Sequence, residues 1–271
     1  MRRMLALATL LASAAVSAGC NADDDLTSVA EMRSALPTDD EVTVSVPDES
    51  RAKLAGGLKE ATSTIGQTSE FYRITRNVSE SLNTATALWL GLVRAIVALP
   101  PSSVDGDTAT WGPGGGNNGL DPTEYKMVMT RVGDGQFTYV LSGRNKRDGG
   151  EFLPLISGTA DRSNEGQPGK GTMELNFTNR ATIEPAKRGG GVIDINYDWT
   201  IAADRSNHIT FSSFVNEQGE GPMNATYDFS LNEAGEGQFD FLTVADVDHD
   251  AAGLPENLHI VSQWTGEGAG R

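Results

Sequence analysis

The feature that most constrains this chain is a period-two alternation of apolar and polar residues through its C-terminal part. In the segment GVIDINYDWTIA, Ile193, Ile195 and Tyr197 fall on one side of an extended chain, while Asp194 and Asn196 fall on the other. The same pattern marks EYKMVMTRV, QFTYVLSGR, FLPLISGTA, GTMELNFTN, MNATYDFSLN, GQFDFLTVA and NLHIVSQW. About nine strands with one apolar and one polar face are predicted, which describes an antiparallel meander.

Glycine-containing turns support this meander. RVGDGQ separates two strands, and NEQGEG and NEAGEG recur 16 residues apart, which is about one strand plus one turn. This spacing excludes a calcium-binding β-helix, which would repeat at about nine residues. The sheet is expected to be either open or closed into a barrel, and GPGGGNNG before it is expected to be an unstructured connection.

One long helix is predicted ahead of the strands, from Ser69 to Leu99. Thr68 and Ser69 are favourable N-cap residues, and Pro100 with Pro101 ends the helix. A sheet with one apolar face must cover that face, and this helix is the largest apolar body outside the strands. We therefore expect a mainly β fold in which a strongly curved meander packs on one long N-terminal helix. Apolar residues recur on one stripe of the helix: Phe71, Ile74, Val78, Leu82, Ala85, Trp89, Leu92, Ile96 and Leu99.

The length of this helix raises a question about its packing. At 1.5 Å per residue it spans roughly 46 Å, whereas an eight-residue strand spans about 27 Å. Either the helix bends near Gly91, or its N-terminal half projects beyond the sheet. Its apolar end, ALWLGLVRAIVAL, is too short for a membrane span and contains Arg94.

The N-terminus, MRRMLALATLLASAAVSAGC, is typical of a targeting segment. Arg2 and Arg3 precede an apolar run closed by small residues, and the segment ends in Cys20, the only cysteine of the chain. This junction resembles the lipobox of bacterial lipoproteins, with Ser17 where leucine is commonest. The resemblance implies that residues 1–19 are a signal peptide and that Cys20 carries acyl chains. The alternative is simple secretion with Cys20 incidental.

Charge and the anchor together predict a location. The formal net charge is −16, and removal of residues 1–19 takes away two arginines, which changes the balance from 21 − 37 to 19 − 37, or −18. A chain this acidic does not attract nucleic acid or anionic lipid. The acyl chains would therefore hold it on a membrane of the bacterial cell envelope, the outer rather than the inner, with the domain in the periplasm or at the cell surface.

The chain divides into four segments on this interpretation. The signal peptide is followed by an acidic flexible tether over residues 20–49, whose single basic residue is Arg33. Residues 50–101 form the helical segment, and residues 102–271 form the β domain that packs on it as one globular unit. The closing TGEGAGR has the composition of a turn with no strand after it, so either the sequence is truncated or its last strand is an unpaired edge.

No catalytic constellation stands out in the sequence. His208, His249 and His259 have no GxSxG elbow, and no two of them have zinc-ligand spacing. The carboxylate pairs Asp194 with Asp198 and Asp228 with Asp240 would suit glycosidase chemistry only if they lined a cleft, and on an outward face they are expected to act as solubilising groups. We predict neither an enzyme nor a cofactor.

The segment DVDHDAAGLPEN is a weak calcium candidate. Asp246, Asp248 and Asp250 match the first ligand positions of a calcium loop, but Ala251 stands where such a loop needs glycine and Asn257 where it needs glutamate. Strand-like segments flank it on both sides. A polar hairpin connection is the simpler interpretation.

The overall plan resembles the curved-sheet-on-helix domains of periplasmic lipoprotein carriers and lipid-binding lipoproteins. That resemblance implies space for acyl chains between sheet and helix. We expect a non-catalytic role, either structural or in binding a lipid or another apolar ligand there. The alternative is an envelope protein-interaction module that uses the polar sheet face or an open edge strand, with the protein partner unknown.

Overall fold

A computed structural model describes residues 22–45, 70–115, 122–163, 169–201, 204–216, 219, 221–245 and 255–266. These residues form four helices and one antiparallel sheet of eleven strands, each paired with its neighbours in chain order. The helices are α1 (Ala22–Ala35), α2 (Asp39–Val42), α3 (Glu70–Val97) and α4 (Phe177–Ile183). The strands are β1 (Ser103–Asp105), β2 (Thr108–Gly115), β3 (Thr123–Gly133), β4 (Gln136–Asn145), β5 (Leu153–Asp161), β6 (Lys170–Asn176), β7 (Gly190–Ile201), β8 (Asp204–Val215), β9 (Met223–Leu231), β10 (Gly237–Ala245) and β11 (Glu256–Trp264).

The mainly β, antiparallel prediction is confirmed, and the described strands form an open sheet because β1 and β11 lie at opposite ends of the pairing order. The count of nine strands is wrong. The first residues of GPGGGNNG are not a loop but the end of β2, where Gly114 pairs with Tyr125 across a bulge. The short TATW alternation before this glycine-rich end is too brief to indicate a strand.

The alternation correctly separates two faces of the sheet. Inward-facing residues of β2 to β11 belong to one continuous core that also includes the helices. Ring contacts fill this core, such as the edge-to-face pair of Tyr227 and Phe239 at 4.1 Å between centroids. Phe177, expected on a strand, instead begins α4, because the Asn176 side chain accepts a hydrogen bond from the Asn179 amide at 2.9 Å and starts a helix.

The long helix is present as α3, but it is not the N-terminal element, since α1 and α2 precede it. Along its length it meets successive parts of the sheet. Thr75 lies 3.3 Å from Ser262 on β11, Ser79 lies 3.1 Å from Tyr227 on β9, and Leu99, just beyond the helix, accepts a hydrogen bond from Trp111 on β2 at 2.9 Å.

The helix therefore needs neither a bend near Gly91 nor an N-terminal half that projects beyond the sheet. A helix of 28 residues is about 42 Å long. The nine strand intervals from β2 to β11 measure about 43 Å at 4.8 Å each. Because α3 crosses the strands instead of following one of them, its length matches the width of the sheet.

Residues 22–45 differ from the predicted flexible tether. They form α1 and α2, and several of their apolar side chains enter the core, including Met32 and Val42, which are fully buried. Asn83 of α3 exchanges two hydrogen bonds with the backbone of Val44, each 2.8 Å long. The acidic composition of this segment predicted disorder, because an average composition does not show where its few apolar residues lie.

Arginines fix this N-terminal segment to the end of α3. Arg33, the one base in the acidic stretch, donates to the carbonyl oxygens of Val97 at 2.6 Å and Leu99 at 2.8 Å, which satisfies acceptors at the helix C-terminus. Arg94 of α3 in turn forms an ion pair with Asp39 of α2 at 2.8 Å. The two segments thus hold each other in place.

A buried ion pair joins α2 to the sheet. Glu41, whose residue is 3% exposed, forms a two-oxygen contact with Arg162, the residue just after β5. Its carboxylate also accepts from the amides of Thr38 at 2.8 Å and Gly169 at 3.0 Å. Burial alone would raise the pKa of Glu41, but the Arg162 side chain and the two amides outweigh it and lower that pKa below its ordinary value.

We predict that Glu41→Gln lowers the free energy of unfolding by about 3 kcal/mol, because it leaves Arg162 without its carboxylate partner in a buried site. Urea denaturation of the full chain measures this. Asp40→Asn removes an exposed charge from the same helix and is the matched control, with an expected change below about 0.5 kcal/mol. Equal losses in the two variants would contradict a stabilising role for the pair.

The same pair predicts a pH dependence. Because the folded pKa of Glu41 is depressed, its stabilisation is complete above the ordinary value of 4.5 and is lost as the pH falls through the lower folded value. The stability difference between the wild type and Glu41→Gln should therefore shrink below pH 4.5. Denaturation curves at a series of acidic pH values test this, and a difference that stays constant throughout the acidic range would refute it.

Candidate functional site

Some predicted site residues lie outside the described residues. These are the acylation candidate Cys20, the calcium candidates Asp246, Asp248 and Asp250, and His249. Within the described part of the chain, no group of three or more His, Cys, Asp or Glu side chains is placed to hold a metal ion. The candidate site therefore comes from the sheet itself.

The polar face of the sheet is organised into rows that run across the strands. Because the strands pair in register, the outward residues of successive strands stand directly opposite one another. The row through the middle of the face, here called the central row, begins with five threonines and ends with polar and ionisable side chains. Its members from β2 to β10 are Thr108, Thr130, Thr138, Thr159, Thr172, Asn196, His208, Asp228 and Asp240.

A second row lies two residues along each strand on the same face. This flanking row consists of Gln136, Asp161, Lys170, Asp198, Ser206, Ser230 and Gln238, from β4 to β10. On the other side of the central row lies a third set of outward residues, which includes Glu174, Asp194, Thr210 and Leu242.

A groove of about 740 Å³ lies along the central and flanking rows. All seven residues of the flanking row line it, with five of the central row, namely Thr159, Thr172, Asn196, His208 and Asp228. Inward-facing residues such as Tyr197 and Phe229 alternate with them, so their backbones form the floor while their side chains are buried in the core. The row residues that line the groove come from seven strands, β4 to β10, which span about 29 Å.

Hydrogen bonds between neighbours fix several of the lining side chains. The hydroxyl groups of Thr159 and Thr172 lie 3.0 Å apart. Asp161 accepts from the amide of Ser163 at 3.0 Å and from its hydroxyl at 2.6 Å, and these bonds lower the pKa of the Asp161 carboxyl. Asp161 therefore keeps its charge to a lower pH than an ordinary aspartate does, and its position is set before any ligand arrives.

His208 has the most suggestive environment for chemistry. Its Nδ1 lies 2.6 Å from the Asp228 carboxylate, and its Nε2 lies 3.4 Å from the Thr210 hydroxyl. The order acid, imidazole, hydroxyl resembles a hydrolase triad. However, the His208 and Asp228 side chains are 49% and 61% exposed, and Thr210 lies in the third row, outside the groove. Such a solvated arrangement favours hydrogen bonding to a ligand over activation of a nucleophile.

Of each acid pair identified in the sequence, one member lines the groove and the other does not. Asp198 and Asp228 line it, whereas Asp194, four residues from Asp198 on the same strand, and Asp240, directly opposite Asp228, do not. His259 contacts Asp240 at 2.8 Å, away from the groove. The expectation that all four acids act only as solubilising groups does not make this distinction, because alternation identifies a face of the sheet but not which of its residues line a groove.

The space between sheet and helices has a different character. Large side chains occupy it, among them Trp89, Leu90, Phe177 and Phe211, which are all buried. None of the described helices has the combination of length and apolarity that crossing a bilayer requires. No protein-family model, curated protein or solved structure matched the chain.

Proposed function

We propose that this chain is a non-catalytic binding protein of the bacterial cell envelope, anchored by acyl chains on Cys20, that holds a polar ligand in the groove of its sheet. The groove of about 740 Å³ is the observation that carries this proposal, because its volume falls in the range of ligand sites. It differs from the sequence expectation, in which a ligand was apolar and lay between sheet and helix, and the polar sheet face was suggested for protein interaction.

The packing of the other face supports this choice over an apolar ligand. The helices bring Trp89, Leu90 and Val93 onto the inner side of the sheet, where they join the same core as the strand residues. An acyl chain placed there would have to displace these side chains. We infer that the sheet curves around α3, since this one helix meets strands near both of its edges, and that the curvature serves to close the core.

The sequence features that suggest an envelope location support the anchor. The lipobox-like junction at Cys20 and the formal charge of −18 after cleavage favour attachment through acyl chains over attachment by charge. Side chains between Val29 and Val44 pack in the core of the domain, and the acylated Cys20 would lie only two residues before the start of α1. The domain would then sit close to the membrane surface and not at the end of a long tether.

We predict that the wild type incorporates labelled palmitate in a bacterial host and partitions into the detergent phase, and that Cys20→Ala does neither. The thiol is the acyl acceptor in the lipobox interpretation, which gives the result its physical reason. Ser13→Ala, seven residues earlier and outside the junction, keeps the thiol and is the control. Unchanged labelling in Cys20→Ala would overturn the anchor.

A second candidate function is supported by the open edge. Near β11 the polar face carries the exposed apolar side chains Leu242, Val244 and Val261, each 45% to 48% exposed. An edge strand with exposed apolar neighbours suits addition of a partner strand. This is the protein-interaction alternative, and the next experiment separates it from the groove.

We predict that, in a full chain that also carries Cys20→Ala and so has no acyl anchor, Asp198→Lys combined with Asp228→Lys abolishes retention by isolated envelope material, because two groove-lining carboxylates become cations. Asp194→Lys combined with Asp240→Lys makes the same charge change outside the groove, on β7 and on the strand next to β9, and should retain binding. A sedimentation assay measures the bound fraction, and unfolding curves establish that both variants are folded.

Two results would contradict binding in the groove. Equal loss in both double variants would show a general charge effect and contradict the groove. Loss in Val261→Lys, with the groove variants unaffected, would favour the edge-strand function instead.

A further inference from the structure

We infer that the ligand of the groove is a neutral, hydroxyl-rich chain, such as a glycan strand, lying across the strands of the sheet. This inference rests on the proposed binding function and specifies its ligand. It is carried by the shape of the groove, the chemistry of its two rows and their charge.

The shape favours an extended ligand. The groove follows two rows over seven strands, from Gln136 on β4 to Gln238 on β10, a distance of about 29 Å. Its lining comes from the strands, and none of the described helices contributes a residue to it. A site of this form can contact several successive units of a polymer, whereas small metabolites are held in sites that enclose them.

The lining is dominated by neutral hydrogen-bonding groups. Of the twelve residues that the two rows contribute, seven carry hydroxyl or amide side chains: Gln136, Thr159, Thr172, Asn196, Ser206, Ser230 and Gln238. A sugar hydroxyl both donates and accepts, and amide and hydroxyl side chains do the same, so each can match it in either sense. Among the described residues of the lining, Val132 is the one exposed large apolar residue, so an apolar ligand has little to contact.

The charged members exclude polyanions. Lys170 and His208 are the cationic or potentially cationic residues of the lining, against Asp161, Asp198 and Asp228. A nucleic acid or another polyphosphate needs a surplus of lysine and arginine to bind. Here the balance has the opposite sign, on a chain whose formal net charge is already −16.

The acids favour hydroxyl groups over a basic peptide. Asp161 is held by Ser163, and Asp228 is held by His208 at 2.6 Å, so neither depends on a ligand cation for a partner. Ionised carboxylates that already have one partner still have oxygen lone pairs for a hydroxyl donor, and charge-assisted bonds of this kind are strong. Together with the seven neutral groups, they form a surface suited to polyols.

Calorimetric titration of the full chain tests this with named probes. The neutral probes are chitohexaose, cellohexaose and maltohexaose, each with its disaccharide. We expect at least one neutral chain to bind, more tightly than its disaccharide, and with little change between about 50 mM and about 500 mM salt, because no net charge is neutralised. Hexalysine and heparin are the charged comparisons.

Single substitutions test whether the neutral chain binds in the groove, and the expected loss of affinity can be stated for each. Asn196→Ala and Asp198→Ala should each weaken binding of the neutral chain by about tenfold, the equivalent of one lost hydrogen bond to an uncharged or charged group. Asp194→Ala removes an acid of the same strand that lies outside the groove, and it should leave binding unchanged. Unfolding curves of the three variants show whether each one folds.

Two results would overturn the inference and leave the proposed function intact. One is tight, salt-sensitive binding of hexalysine with none of the neutral chains bound. The other is binding of no neutral chain while retention by envelope material still depends on Asp198 and Asp228. If retention does not depend on these two residues at all, the proposed function fails first, so the two failures are distinguishable.

Discussion

The structure depends on covering the single apolar face of a wide sheet. An eleven-stranded meander produces an apolar surface about 48 Å across, and leaving it in water would cost roughly 25 cal/mol for each Å². One helix can cover such a width only if it runs across the strands. The orientation of α3 follows from this requirement, and so does its unusual length, since a helix parallel to the strands would leave most of the sheet uncovered.

The N-terminal segment, residues 22–45, also helps to cover the apolar face of the sheet, although its composition does not suggest this. Its composition is that of a solvated linker, and the sequence interpretation treated it so. What holds it is specific pairing: Arg33 on the carbonyl oxygens at the end of α3, and Glu41 on Arg162. These contacts join residues more than sixty positions apart. Composition cannot predict such pairs, because a single well-placed charge has no effect on the average.

Prediction from the sequence succeeded where the information is local. The alternation in GVIDINYDWTIA assigns Ile193 and Ile195 to the core and Asp194 and Asn196 to the opposite, polar face, and both assignments are confirmed. The predicted end of the long helix, Leu99, lies two residues beyond its observed end at Val97. Strand β2 was missed because its alternation is limited to TATW, and glycines at its end, such as the paired Gly114 and Gly115, have no side chains to extend the pattern. The groove was missed for a related reason, since it depends on register over seven strands.

Register also explains why the polar face can act as a site at all. Each hairpin of a meander fixes the pairing of only two strands, yet a row such as Thr138, Thr159, Thr172 and Asn196 needs every successive hairpin to keep the same alignment. The bulges of these pairs fall outside this part of the row. The one between β4 and β5 lies between Leu141 and Ser142, and the two between β7 and β8 lie before Val192 and beyond Asp198. A slip of one residue at any hairpin would turn that strand's groove residues into the core. The apolar face therefore enforces the alignment of the polar one, and the groove residues are held in line by side chains that point away from them.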